Sequence, residues 1–484
     1  MLTRRDAVLG ALFGSGMLGL RAIATGLPIW YLANPRKATA QDLQCAITAR
    51  EKAQFLVVSA NSNGDPINCN CPGTYEDPAA KHPAQAEMAK TSVTLGGKTF
   101  GAALPWATTE DGGKLTAATL AKTNFFHYRT GSVVHGDQAK VMKLMGGTNG
   151  GEMLVSIYAR YLSACFGTVQ SAPIAVGAGF NASELLSYGG STAPFVSPVN
   201  LKAMLGGTSS SGGGGGGMFP GGGGSSGTAA LKNLRTLRDQ TLDKLNALAK
   251  ADGSNVQKAF LDELASSQKR VRELSANLST LLTKINSDNV DGQIAAVTAL
   301  FSANVTSVVS MRIAFGGDNH SDQNLQAEAD QHGTGIASIQ ALMDALDGAT
   351  TADGTKLSER VTFATLNVFG RNLNGISKTE SLAGRDHYAN HAVAVLIGKN
   401  IAPGVTGGLM NVTGFGSSGL GAADIESATG LGKQGGDIPS ASTYGALGRT
   451  LGVALGIPSE VMARDFNASA GGKVVNTTLN GVTG

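Results

Sequence analysis

Two kinds of apolar pattern alternate along the chain. Residues 55–60 read FLVVSA, a continuous apolar run that stops at the turn-forming Asn61-Ser62-Asn63-Gly64-Asp65-Pro66, as expected of a strand buried on both faces of a parallel sheet. The run 305–315 (VTSVVSMRIAF) has the same character and ends at Gly316-Gly317-Asp318-Asn319-His320. Shorter runs predict strands over 172–176, 361–368 and 392–397. Between them 152–165, 290–304, 323–346 and 440–455 read as helices, whereas 115–143 mixes helical and extended signals around His127 and His135. Strands alternating with helices predict an α/β fold with a mostly parallel sheet between two helical layers, a three-layer α/β/α sandwich.

The stretch 206–228 is almost wholly Gly, Ser and Thr around Met218-Phe219-Pro220; it cannot repay its ordering entropy and predicts a flexible surface loop. Beyond it Phe260, Leu264, Ser267, Val271, Leu274, Leu278, Leu281 and Ile285 recur at alternating spacings of four and three, with Ser254 as candidate N-cap. Together with Leu234, Thr241, Leu245 and Leu248, this seam predicts an inserted antiparallel helical hairpin over 229–288, turning at Ala251-Asp252-Gly253. The expected organisation is a leader over 1–40, the first part of the α/β domain over 41–205, the loop, the hairpin, and the second part of the α/β domain over 289–484.

In the leader, Arg4 and Arg5 precede a weakly apolar, Gly-rich run to Leu20, the layout of a twin-arginine export signal, with Ala38-Thr39-Ala40 as a cleavage triplet. The export machinery is therefore an expected partner, and the expected location is periplasmic, cell-surface or extracellular. The formal charge of +3 includes a net +4 from this leader, so the remainder stands near −1. A nearly neutral chain without a basic, aromatic-studded patch predicts no nucleic-acid partner. With 42% hydrophobic and 15% charged residues, it can also bury a large core rather than stay disordered. Cys45, Cys69, Cys71 and Cys165 form an even set, which in an exported protein predicts a disulfide from the Cys69-Asn70-Cys71 pair to Cys45 or Cys165.

Loops that follow the strand ends of a parallel sheet form its binding crevice. Asp318 and His320 stand in one such loop, and Gly384-Arg385-Asp386-His387-Tyr388-Ala389-Asn390-His391 lies between two predicted strands. Carboxylate oxygen with imidazole nitrogen is the donor set of zinc, or of a harder divalent ion such as calcium, magnesium or manganese. Asp318, His320, Asp386, His387 and His391 are thus the expected metal ligands. Isolated histidines more commonly bond backbone, which is the role expected of His82, His127, His135 and His332.

FGGDNHSDQN at 315–324, VFGR at 368–371, GRDHYANH at 384–391 and the closing LGRTLGVALGIP together resemble the domain of unknown function 1501 family, over about residues 50–460. That family is similar to the alkaline-phosphatase and sulfatase superfamily. The resemblance implies an alkaline-phosphatase-like sandwich whose metal-assisted site hydrolyses small phosphate or sulfate esters. Asp318 and His320 match the family's Gly-Gly-x-Asp-x-His element, and Asp386 with His387 its Asp-His element. Arg371 is then either a clamp on an anionic oxygen or an ion pair that ties loops together, and Thr130, beside Ser132, is the candidate hydroxyl nucleophile.

The chain also departs from the family pattern. Asn367-Val368-Phe369-Gly370-Arg371 stands where the family reads Ser-Glu-Phe-Gly-Arg, and Val134-His135-Gly136 where it often reads Ser-His-Phe. The early Gly-rich motif with its Asp is also altered, leaving Asn63 or Asp65 as substitutes. Two expectations follow: a metal-dependent ester hydrolase, or a catalytically degenerate relative that acts as a binding or structural protein, with a protein partner for its hairpin.

Overall fold

Among the described residues eight strands form the central sheet: β1 (Phe55–Asn61), β2 (Thr123–Tyr128), β3 (Ile174–Val176), β4 (Phe195–Val196), β5 (Val308–Met311), β6 (Val361–Asn367), β7 (Ala392–Ile397) and β8 (Gly404–Thr406). Their order across the sheet is β8-β2-β7-β6-β1-β5-β3-β4. Every residue of β1 and β6 is buried, as central strands covered on both sides require, and for β1 this is the outcome that its continuous apolar run predicts. The computed structural model describes residues 54–163, 173–177, 187–188, 191–192, 195–206, individual positions within 240–265, and 280–351, 353–374, 384–411, 419–466 and 471–484. The segment expected to be an export leader, the Gly- and Ser-rich stretch from 207 on, Cys45 and Cys165 lie outside the described residues, as does most of the expected hairpin seam.

Seven of the strands run in one direction, and β7 alone is antiparallel to its neighbours β6 and β2. The carboxyl ends of β1, β2, β5 and β6 therefore share one edge with the amino end of β7. Loops that leave four strands and the loop that enters a fifth all meet there.

Helices make the outer layers of the α/β/α sandwich. The main ones are α1 (Ile67–Asn70), α2 (Leu154–Ser163), α3 (Val290–Ser302), α4 (Gln326–Asp347) and α5 (Thr443–Ala454). Asn289 starts α3 by accepting the Gly292 N–H at 3.1 Å, one of the amides a helix N-terminus leaves without an internal partner. The α2 and α5 helices meet where Tyr158 donates to Gly448 O at 2.5 Å.

Two stretches differ from the sequence expectation. The run 305–315 gives only four strand residues, because side chains capture its later amides: Ser59 Oγ accepts from Ile313 N at 3.1 Å, and Asp65 Oδ1 from Phe315 N and Gly317 N at 3.3 and 2.9 Å. The ambiguous 115–143 stretch contains β2, whose polar ends hide a strand that is buried throughout. Cys69 and Cys71 are buried free thiols rather than halves of a disulfide. Cys69 Sγ lies 3.4 Å from Arg371 O, and burial pushes both thiols up to about 12, so they stay protonated.

Under the loop edge lies a fully buried ion pair between Glu328 of α4 and Arg385. Arg385 Nε and Nη2 grip the two carboxylate oxygens at 2.7 and 2.9 Å, while Asn319 and Asn70 each add a bond of 2.7 Å. The remaining guanidinium protons go to Asn372 O, Leu373 O and Lys81 O. Next to it the 318–320 and 384–387 loops run together through Gly384 N to His320 O (2.8 Å) and Arg385 N to Asn319 O (3.1 Å). A Cβ at Gly384 would lie 1.6 Å from Asn319 O, so only glycine permits this approach. Glu328→Gln, which leaves the guanidinium buried without its counter-charge, is expected to destabilise the fold by about 3–5 kcal/mol in urea unfolding; a loss under about 1 kcal/mol would show that the loops hold together without the pair.

Candidate metal centre

Four ligand-type side chains meet at the loop edge. His135 comes from the turn after β2, Asp318 and His320 from the loop after β5, and His387 from a two-residue ribbon that pairs Gly370–Arg371 with His387–Tyr388. One ligand atom from each lies within 4.8 Å of the others. His320 Nε2 and His387 Nε2 are 2.8 Å apart, and Asp318 Oδ1 stands 3.4 and 3.9 Å from them. His135 Nε2 closes the group, 3.5 Å from Asp318 Oδ2. A tetrahedral zinc ion with nitrogen and oxygen ligands separates neighbouring donors by about 3.4 Å, so these spacings bracket its requirement.

What lies behind the rings fixes which nitrogen faces inward. His135 Nδ1 is 2.7 Å from Ser62 O and His387 Nδ1 is 2.6 Å from Val133 O, and a carbonyl only accepts, so both Nδ1 atoms carry the proton. His320 Nδ1 faces Asp386 Oδ1 at 3.4 Å. His135 and His387 thus turn an Nε2 lone pair toward the same point, each held from behind by a backbone carbonyl, and His320 Nε2 meets His387 Nε2 there with Asp386 behind its ring. Backing by an acceptor is how metal-ligating histidines are oriented.

The charge balance favours the same species. Burial pushes His387 down to about 4, helped by Arg371, His135 and His320, which keeps the ring neutral near pH 7. Partial burial opposes ionisation of Asp318, yet the Arg371 guanidinium outweighs it through charge and a 3.2 Å hydrogen bond, leaving the carboxyl below its usual range. Arg371 is itself wholly buried. Its other donors reach Gly64 O at 2.7 Å, Asn63 O at 2.5 Å and Arg385 O at 3.2 Å.

Of the five residues expected as ligands, Asp318, His320 and His387 come together. Asp386 stands one position back, behind His320. His391 is apart: it is buried against His127, Nε2 to Nδ1 3.0 Å, because it directly precedes β7 and β7 pairs with β2. Arg371 points its guanidinium into loop carbonyls, so of its two expected roles it fills the one that ties loops together. Thr130 Oγ1 bonds Ser132 O and Ala389 O, both at 3.4 Å, and Ser132 Oγ bonds Asp137 at 2.8 Å; the two hydroxyls brace their loop. Asp65 is buried under the 315–317 amides, and burial raises its pKa. His135, expected only to bond backbone, does so through Nδ1 and also joins the cluster through Nε2. The signal that points to it is its place in the loop after β2, at the same edge as the others.

Buried neutral histidines also shape the pH response. Burial lowers His127 to about 4, His332 to about 3 and His391 well below its usual value. Unfolding lets each take up a proton, so stability is expected to fall as the pH drops from about 6.5 toward about 4, by roughly 1.4 kcal/mol per pH unit per histidine. His332→Leu should remove one such contribution from the slope of unfolding free energy against pH, and an unchanged slope would contradict the assignment. A scan against protein-family models returns no match and a search of curated protein sequences returns none.

Proposed function

We propose that His135, Asp318, His320 and His387 hold one divalent ion, zinc by donor type, and that the chain uses it to hydrolyse small phosphate or sulfate esters outside the cytoplasm. The observation that carries this reading is the convergence of three Nε2 atoms and the Asp318 carboxylate on one point, with backbone carbonyls fixing the rings of His135 and His387. When bound, such an ion supplies Lewis acidity and an activated water. The protein residues do the rest. Asp318 contributes one negative charge against the two of the ion, so the centre remains positive and attracts an anionic ester. Arg371 keeps Asp318 ionised and aimed. All four side chains retain solvent access, which leaves an approach for substrate. The motif resemblance supports the ester class, and the paired arginines of the leader support export to the periplasm, the cell surface or beyond.

A second reading has its own support. Val368, at the position where the resemblance has Glu, is fully buried, and Thr130 and Arg371 are both occupied by the loops. On that reading the ion stabilises a binding protein.

The test begins with metal analysis of the purified chain. One zinc per chain is expected, lost in His320→Ala and in His387→Ala, with Asp386→Asn weakening affinity by about 10–100-fold through loss of the ring's support. Hydrolysis of aryl phosphate or aryl sulfate that disappears on chelation supports the hydrolase. A zinc-loaded chain inert toward both esters supports the binding protein, and a folded chain without stoichiometric metal overturns both.

A further inference from the structure

A buried polar chain runs from the far side of β2 to the metal centre, and its direction follows from its first link. His127 Nε2 lies 3.1 Å from Pro72 O, which only accepts, so Nε2 carries the proton and Nδ1 is left as an acceptor. His391 Nε2, 3.0 Å from that Nδ1, must then donate, which leaves His391 Nδ1 as an acceptor in turn. Facing it at 3.3 Å is the Asn68 amide nitrogen. Asn68 grips the Arg371 backbone on both sides: its Nδ2 donates to Arg371 O at 2.7 Å, and its Oδ1 accepts from Arg371 N at 2.9 Å. From there the Arg371 guanidinium reaches Asp318.

The amide of Asn68 has two orientations, and the histidine pair permits one. Flipped, it would set Oδ1 against the His391 Nδ1 lone pair and its NH2 group against the Arg371 N–H. Asn68, His127, His391 and Arg371 are all buried, so water cannot repair such a mismatch. The strand itself is tightly held here, since a Cβ at Gly370 would lie 2.0 Å from His391 O.

We propose that His127, His391 and Asn68 are positioning residues of the metal centre, which fix Arg371 and through it the carboxylate of Asp318. This rests on the metal reading above. It gives His391 of the 384–391 motif a role at the centre without contact to the ion.

The experiment is zinc affinity of the full chain by chelator competition, with the visible spectrum of the cobalt-substituted protein as a report on ligand geometry. Circular dichroism and thermal unfolding of the metal-free variants establish that each is folded. His391→Leu is expected to weaken zinc binding by about 10–100-fold and to alter the cobalt spectrum. His391→Gln, whose amide donates to His127 and accepts from Asn68, is expected to restore both. If His391→Leu does not fold, His127→Leu carries the same expectation, because it frees the tautomer of His391 while leaving Asn68 in place. Leu variants that are folded and bind zinc like the wild type, or a Gln variant no better than Leu, overturn the proposal and leave the metal reading standing. A wild-type chain that binds no zinc overturns both.

Discussion

The loop edge depends on one buried ion pair. Glu328 accepts four hydrogen bonds and Arg385 spends all five of its protons, so neither charge is left uncompensated in the interior. Such a pair adds little net stability compared with an apolar contact of the same size, because removing both charges from water offsets most of their attraction. Its value is positional. Through Asn319, Asn70 and the carbonyls of Asn372 and Leu373, one guanidinium sets the relative height of the loops after β1, β5 and β6 and of the loop that enters β7.

Arg371 extends this frame to the chemistry. Its guanidinium binds Asn63 O, Gly64 O and Arg385 O, so it is held on three sides before it meets Asp318. A cation fixed in that way lowers the carboxyl pKa without reorganising. The two arginines therefore divide the work: Arg385 assembles loops, and Arg371 charges and aims one ligand. Both were visible in the sequence as parts of short motifs, but their roles depend on carbonyls that no motif records.

The fold was legible because β1 and β7 are buried on both faces and read as nearly unbroken apolar runs, with β6 between them broken only by single polar residues. TNFFHY of β2 was obscure for the opposite reason. Its Thr, Asn and His are buried and hydrogen-bonded, and a sequence pattern cannot distinguish a satisfied polar group from an exposed one. At the site, Asp318, His320 and His387 could be picked out from loops beyond strand ends. His391 could not be separated from His387 by the same logic: four residues apart in one loop, His387 reaches the cluster from the two-residue ribbon while His391, next to β7, is buried against His127. His135 was expected only to bond backbone, because the β2 loop reaches the centre only once β7 has inserted beside β2, a fact of topology rather than composition.

The reversed direction of β7 carries a kinetic consequence. His135 follows β2 and His387 precedes β7, strands that pair with each other, yet Asp318 and His320, between them in sequence, follow β5, on the far side of β1. No two neighbouring segments can assemble the four donors, and the cluster closes only after most of the sheet has paired. Loops of such length make this a slow, non-local step, so an ion cannot act as an early nucleus for folding. The proposed ion would then find its site only once the sheet is complete, because a chain that stalls with β7 undocked presents isolated imidazoles and no preformed cluster.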